Sequence, residues 1–160
     1  MSYRVLFLDF DGVLNSWDWF RRAPPGDRTL GHLDPEAVAR VQQIVDRTGA
    51  VIVISSTWRY LHTLGELRSY LAAKGLKARV IGRTPSWNPL LADRGEQIAK
   101  WLQVASRVAG PPSGMAILDD DSDMGPLLSW LVKTSFATGL TEPDVERAVA
   151  VLSRPLGREE

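Results

Sequence analysis

The 160 residues include no cysteine, which excludes a disulfide framework and any thiolate metal site. Long hydrophobic runs are missing too, although 44% of the chain is hydrophobic. No stretch approaches the roughly 20 apolar residues that a membrane-spanning helix needs. The apolar run Val5-Leu6-Phe7-Leu8 near the N-terminus is closed by Asp9, too soon for a signal-peptide core. There is no net charge: 19 basic residues balance 19 acidic ones, so global electrostatics gives no ground for generic nucleic-acid or membrane binding. The only two histidines, His32 and His62, have no partner at metal-ligand spacing and read as structural. Internal repeats and low-complexity tracts are also lacking. What remains is consistent with one domain in a reducing, cytoplasmic setting, over residues 1–155, with 156–160 as a tail.

Short apolar runs alternate with amphipathic ones. Arg4 to Leu8, Ala50 to Ile54, Ala78 to Ile81, Met115 to Leu118 and Leu131 to Lys133 read as strands. Helices are expected from Asp34 to Gly49, Leu61 to Lys74, Gly95 to Val108, and onward from Thr141. Asp34-Pro35 supplies a cap and a first-turn proline, Gly49 a stop, and Thr141 with Asp144 a capping box. Residues 13–33 show no period and carry Pro24-Pro25-Gly26, so they read as a flap; Gly82 to Asp93 reads as a loop. Strands alternating with helices predict an α/β fold, a Rossmann-like three-layer sandwich with a mostly parallel central sheet and no large cap domain.

In such sheets ligands sit beyond the carboxyl ends of the strands. Three strands end there in polar clusters: Asp9-Phe10-Asp11-Gly12, Ser55-Ser56-Thr57, and Asp119-Asp120-Asp121-Ser122-Asp123. Folding would bring the clusters together. Crowded carboxylates repel unless a cation sits among them, so Asp9, Asp11, Asp119 and Asp120 predict an oxygen-rich site for Mg²⁺. Asp9 is the expected nucleophile on phosphorus. Asp11, two residues on, would protonate the leaving oxygen and then activate water. Ser55 would donate its hydroxyl to a phosphoryl oxygen, with the backbone amide of Ser56 close by. Gly12 frees the backbone to turn around the ligand. Arg94, at the mouth of a helix, is the expected cation for the equatorial oxygens. Fifteen of the 19 basic residues are arginine, and Arg59, just after Ser55, is a further candidate for the phosphate path. Arg21, Arg22 and Arg28 read as a solvated face. Trp17, Trp19, Phe20, Trp58 and Trp87 would either pack the flap or stack on a base.

The segments Phe7-Leu8-Asp9-Phe10-Asp11-Gly12-Val13, Val51-Ile52-Val53-Ile54-Ser55, Arg94 and Ala116-Ile117-Leu118-Asp119-Asp120 resemble the four motifs of the haloacid dehalogenase (HAD) phosphatases. Ser55-Ser56-Thr57-Trp58-Arg59, the run from Arg94 to Leu102, and Leu131 to Thr134 with Thr138 to Thr141 narrow the resemblance. They are similar to the HAD domain of Swiss Army Knife RNA repair proteins. The resemblance implies a Mg²⁺-dependent phosphomonoesterase working through an aspartyl-phosphate. Its expected substrate is a nucleic-acid end, an RNA 3′-phosphate above all, or a nucleotide, and its expected associates are other repair enzymes. Only 43 residues separate Asp11 from Ser55 and 38 separate Ser55 from Arg94, too few for the cap domains of that superfamily.

Two placements stay open: Asp120 or Asp123 as the second acid of the last motif, and Arg94 or Arg83 as the cation. The alternation Asp119, Asp121, Asp123 does not make a calcium loop, because Met124 stands where its glycine belongs and Trp130 where its glutamate belongs. Rival functions are a small-molecule phosphatase, a module that binds phosphorylated ends without turnover, and a receiver domain. The last is disfavoured because the second strand ends in Ser55.

Overall fold

Arg4–Leu8 forms the central strand, β1, of a five-stranded sheet. The computed structural model describes residues 2–25, 32–85 and 93–156. The other strands are β2 (Val51–Ile54), β3 (Val80–Arg83), β4 (Gly114–Asp119) and β5 (Leu131–Lys133). Their order is β3-β2-β1-β4-β5 and every pairing is parallel. Leu8 lies level with Ile54 on one side and Leu118 on the other.

Side chains alternate across the strands, and both faces are covered. Leu6, Leu8, Ile52, Ile54, Ala116 and Leu118 face a core shared with α2 (Pro35–Thr48), α3 (Leu64–Ala73) and α5 (Glu142–Leu152). Val5, Phe7, Val53, Met115 and Ile117 face the opposite layer, where α4 (Arg94–Ala109) contributes Ile98, Trp101 and Leu102. The result is the expected three-layer α/β sandwich.

Local signals set the helix ends. The Asp34 carboxylate accepts from the Glu36 amide at 2.9 Å, and Gly49 closes α2 in the left-handed region at φ +71°. Thr63 with Glu66 boxes the start of α3, and Thr141 with Asp144 that of α5. The Asp93 carboxylate accepts from the Glu96 amide at 2.8 Å and starts α4.

Three elements differ from the sequence expectation. The segment 13–33 contains a helix, α1 (Trp17–Arg22), started by Ser16, whose hydroxyl accepts from the Trp19 amide at 3.1 Å. Six residues are too few to display a helical period, so α1 left no signature in the pattern. A 3-10 turn, Thr57–Tyr60, precedes α3, which starts at Leu64 rather than Leu61. β3 lies two residues later than Ala78 to Ile81, and its register against β2 shifts between Ile52 and Val53, opposite Val80 and Gly82. Arg28 and Trp87 lie outside the described residues. Among the described residues, no helix is long and apolar enough to cross a membrane.

Candidate active site at the carboxyl edge of the sheet

The backbone ladder runs one residue beyond the carboxyl end of the strands. The Asp9 amide donates to the Leu118 carbonyl (3.0 Å), Ser55 to Leu8 (2.9 Å), Thr84 to Ile54 (2.9 Å) and Thr134 to Asp119 (2.9 Å). Asp9, Ser55, Thr84, Asp119 and Thr134 therefore form one row, each neighbour about 4.8 Å from the next. A polar residue just after each buried apolar run thus lands at a position fixed by main-chain hydrogen bonds.

Asp9, Asp119 and Asp120 each offer a carboxylate oxygen to one group, and these oxygens lie within 4.8 Å of one another. Asp9 and Asp119 are buried, Asp120 half-buried. Arg94 lies against the first two, its Nη1 3.2 Å from Asp9 Oδ1 and 3.0 Å from Asp119 Oδ2. Burial is the main cause that pushes the Asp119 carboxyl up to about 8, with the negative Asp9 adding to it. Asp9 is pushed up to about 6, again chiefly by burial, against the opposing pull of Arg94 and of the Phe10 amide at 2.8 Å. Arg94 itself is raised in spite of burial, because Asp9 and Asp119 hold its charge. One guanidinium facing three carboxylates leaves negative charge in excess, the condition under which a divalent cation binds.

Gly12 and Asp120 are fitted to each other. Gly12 has φ +78°, and a Cβ there would stand 2.4 Å from Asp120 Oδ2. The Gly12 carbonyl accepts from Thr134 Oγ1 at 2.6 Å and its amide donates to Asn15 Oδ1 at 2.9 Å, so the loop after β1 is tied at both ends. Asp123 stands apart from the carboxylate group. Its Oδ2 accepts from the Arg94 amide (3.1 Å) and its carbonyl from Gly95 (3.0 Å), anchoring the first turn of α4. Gly95 permits that approach, since a Cβ would lie 2.2 Å from the Met124 carbonyl oxygen. Arg83 points elsewhere, with Nη1 donating to the carbonyls of Arg59 (3.3 Å) and His62 (3.1 Å).

Ser55 is fully buried, and its Oγ is one of two buried side-chain polar atoms without a partner among the described residues; Thr84 Oγ1 is the other. An unsatisfied hydroxyl costs about 1–3 kcal/mol, which a bound acceptor would recover. The Ser56 hydroxyl caps the 3-10 turn, accepting from the Trp58 amide at 3.2 Å.

Two expected residues stand differently. The Asp11 carboxylate is not in the metal-spaced group. Instead it accepts from Asn15 Nδ2 (2.8 Å) and from the Trp58 indole (3.1 and 3.2 Å). Arg59, expected on the phosphate path, is 4% exposed and spends its donors inside the protein. It donates to the carbonyls of Ser55 (2.9 Å), Ser56 (2.7 Å) and Thr84 (3.1 Å), to the Tyr60 hydroxyl (3.2 Å) and to the Gln97 side chain. Five N–H groups meet five acceptors, so Arg59 clamps the ends of β2 and β3 to α4. Burial lowers its basicity.

Sequence reasoning passed over Asn15 and Thr134. Asn15 belongs to none of the quoted motifs, and Thr134 closes the segment Leu131 to Thr134 without a role that spacing could assign. Of the aromatic residues, Trp19 is buried, whereas Trp17 is 57% exposed and meets Phe20 and Phe136. His62 lies against Trp58 and Tyr70, and His32 against Phe20, consistent with structural roles.

A parallel sheet carrying acids after β1 and β4, a hydroxyl after β2 and a cation at a helix start defines a HAD-type core. Residues 5–145 match the family model described as the HAD domain in Swiss Army Knife RNA repair proteins, and the chain belongs to that family. None of the curated proteins and none of the solved structures matches the chain.

Proposed function

We propose that this protein is a Mg²⁺-dependent phosphomonoesterase that hydrolyses the terminal phosphate of a nucleic-acid strand, an RNA 3′-phosphate first of all, through an aspartyl-phosphate on Asp9. The observation that carries the reading is the convergence of Asp9, Asp119 and Asp120 beside Arg94. The donor set fits the ion. All three ligands are hard oxygens, and buried carboxyls raised toward 6 and 8 are those that gain most from a cation. Held by Asp9, Asp119 and Asp120, Mg²⁺ would supply charge neutralisation between the nucleophile and the incoming phosphate.

The protein's own groups do the rest. An Asp9 oxygen forms a bond to phosphorus as the ester oxygen departs with its electron pair. Asp11 gives that oxygen a proton. It then takes a proton from the water that attacks phosphorus and releases Asp9. Arg94 and the Ser55 hydroxyl bind the phosphoryl oxygens, where charge spreads in the transition state. Gly12 and the Ser56 amide shape the floor of the phosphate site, while Arg59 sets the positions of Ser55 and α4.

The substrate class rests on the family and on openness. Between Asp11 and Ser55 the described residues include only α1, α2 and β2, and between Ser55 and Arg94 only a 3-10 turn, α3 and β3. No cap domain stands among them, and an open site admits the end of a polymer. A cytoplasmic location and association with other RNA repair enzymes belong to the same reading.

The test compares RNA 3′-phosphate, DNA 3′-phosphate, 5′-phosphates and small phosphomonoesters, with Mg²⁺ and after chelation. Preferred turnover of a strand terminus is expected, lost with Asp9→Asn. Equal or better turnover of small esters would make it a small-molecule phosphatase. Tight binding of ends without turnover would make it a binding module.

A further inference from the structure

Trp58 and Asn15 have no part in the reaction just described, yet both hold one of its carboxylates. The Trp58 indole N–H straddles Asp11, 3.1 Å from Oδ1 and 3.2 Å from Oδ2. The Asn15 side-chain amide donates to Oδ1 at 2.8 Å, while its own oxygen accepts from the Gly12 amide. Asn15 is buried, so its amide has little freedom to turn away.

The indole is itself anchored. The Trp58 amide donates to Ser56 Oγ at 3.2 Å. The ring meets the edge of buried Phe10 with centroids 5.1 Å apart, and it lies 5.8 Å from His62. His62 in turn meets Tyr70, with Nδ1 3.3 Å from the phenol oxygen. Trp58 is thus a fixed donor, reaching from the end of β2 to the loop after β1.

The two oxygens of Asp11 are not equivalent. Among the described residues, Oδ1 receives two N–H groups, and Oδ2 only the longer arm of the shared indole bond. We infer that Trp58, seconded by Asn15, is a positioning residue that holds Asp11 so that Oδ2 carries the proton exchanged with the leaving group and with water. The inference rests on the phosphomonoesterase reading. In the first half-reaction the Oδ2–H bond breaks and its proton joins the ester oxygen, which keeps the electron pair of the broken P–O bond. In the second, a water O–H bond breaks and its proton returns to Oδ2. The water oxygen bonds to phosphorus, and the P–O bond to Asp9 breaks with its electron pair returning to the carboxylate.

Proton donation matters most for a poor leaving group, which gives a readout that a general packing defect would not mimic. Trp58→Phe keeps a ring against Phe10 and His62 and removes the N–H. With Mg²⁺ present, kcat/KM is measured for an alkyl phosphate and for p-nitrophenyl phosphate. The alkyl ester should lose about tenfold or more, and the aryl ester less than about threefold. Equal losses, or none, overturn the inference.

Asp11→Asn is run beside it. An alkyl-selective loss there but not in Trp58→Phe removes Trp58 from the mechanism and leaves Asp11 as the proton carrier. Absence of selectivity in Asp11→Asn removes that role for Asp11, and the inference with it. Should Trp58→Phe fail to fold, the indole N–H proton resonance of Trp58 decides. It should move upfield in Asp11→Ala, and an unmoved signal overturns the contact.

Discussion

The Gly12 α-carbon and the Asp120 carboxylate occupy positions that exclude any side chain at residue 12: an added Cβ would lie 2.4 Å from Asp120 Oδ2. Gly12→Ala therefore carries two penalties. The left-handed backbone at φ +78° costs about 1–2 kcal/mol with a Cβ present. The displaced Asp120 should also weaken Mg²⁺ binding by roughly 10–100-fold. Thermal unfolding measures the first and a calorimetric Mg²⁺ titration the second. Unchanged metal affinity would remove Asp120 from the ligand set.

Arg94 lies 3.2 Å from Asp9 and 3.0 Å from Asp119. Arg94→Met should lower kcat by roughly 10²–10³-fold, as the loss of a transition-state donor does, whereas Arg94→Lys should keep part of the rate. Single-turnover kinetics on the preferred ester checks both. Arg83→Met, away from the acids, should leave the rate close to that of the parent.

Metal-free stability should fall as pH rises. Asp9 and Asp119 have carboxyls raised from 3.8 to about 6 and about 8 by burial, so between those values the folded state binds more protons than the unfolded one. The stabilising contribution of this pair is complete below pH 3.8 and is lost as pH passes through about 6 to 8. Melting in a chelator should show the decline. Mg²⁺ at about a hundred times its dissociation constant adds roughly 2.7 kcal/mol. It should raise Tm more at pH 8 than at pH 5, and an equal rise at both would contradict the assignment.

Arg59 meets five acceptors inside the protein, so a point charge cannot replace it. Arg59→Lys should cost roughly 2–4 kcal/mol of stability. Denaturant unfolding gives that value. If the variant instead kept full stability and only raised KM, Arg59 would contact substrate.

The row of strand ends was legible because each candidate site residue in it follows a buried apolar run. Asp9 follows Phe7-Leu8, Ser55 follows Val53-Ile54, and Asp119 follows Ile117-Leu118, so short continuous apolar runs, read as buried parallel strands, brought them to one edge. Side-chain direction was less accessible. Asp11 reads as a fourth metal carboxylate by spacing, but its partners come from Asn15 and from Trp58, 47 residues away. Arg59 reads as a phosphate ligand because it stands beside Ser55. The carbonyl of Thr84 and the side chain of Gln97 that occupy it belong to β3 and α4, which no local pattern connects to it. The acidic run after β4 favours Asp120 as the metal carboxylate but leaves Asp123 open, and in the structure Asp120 stands with Asp9 and Asp119 while Asp123 holds the start of α4.

Main-chain bonds that carry the ladder through Asp9 and Ser55, just past β1 and β2, and through Asp119, the last residue of β4, bear on how this protein would fail under stress. Reactive groups carried on mobile loops can come adrift while the remainder stays folded. Here the amides of those three residues should exchange with solvent as slowly as the innermost strand positions, and heating should extinguish turnover and melt the domain in a single event.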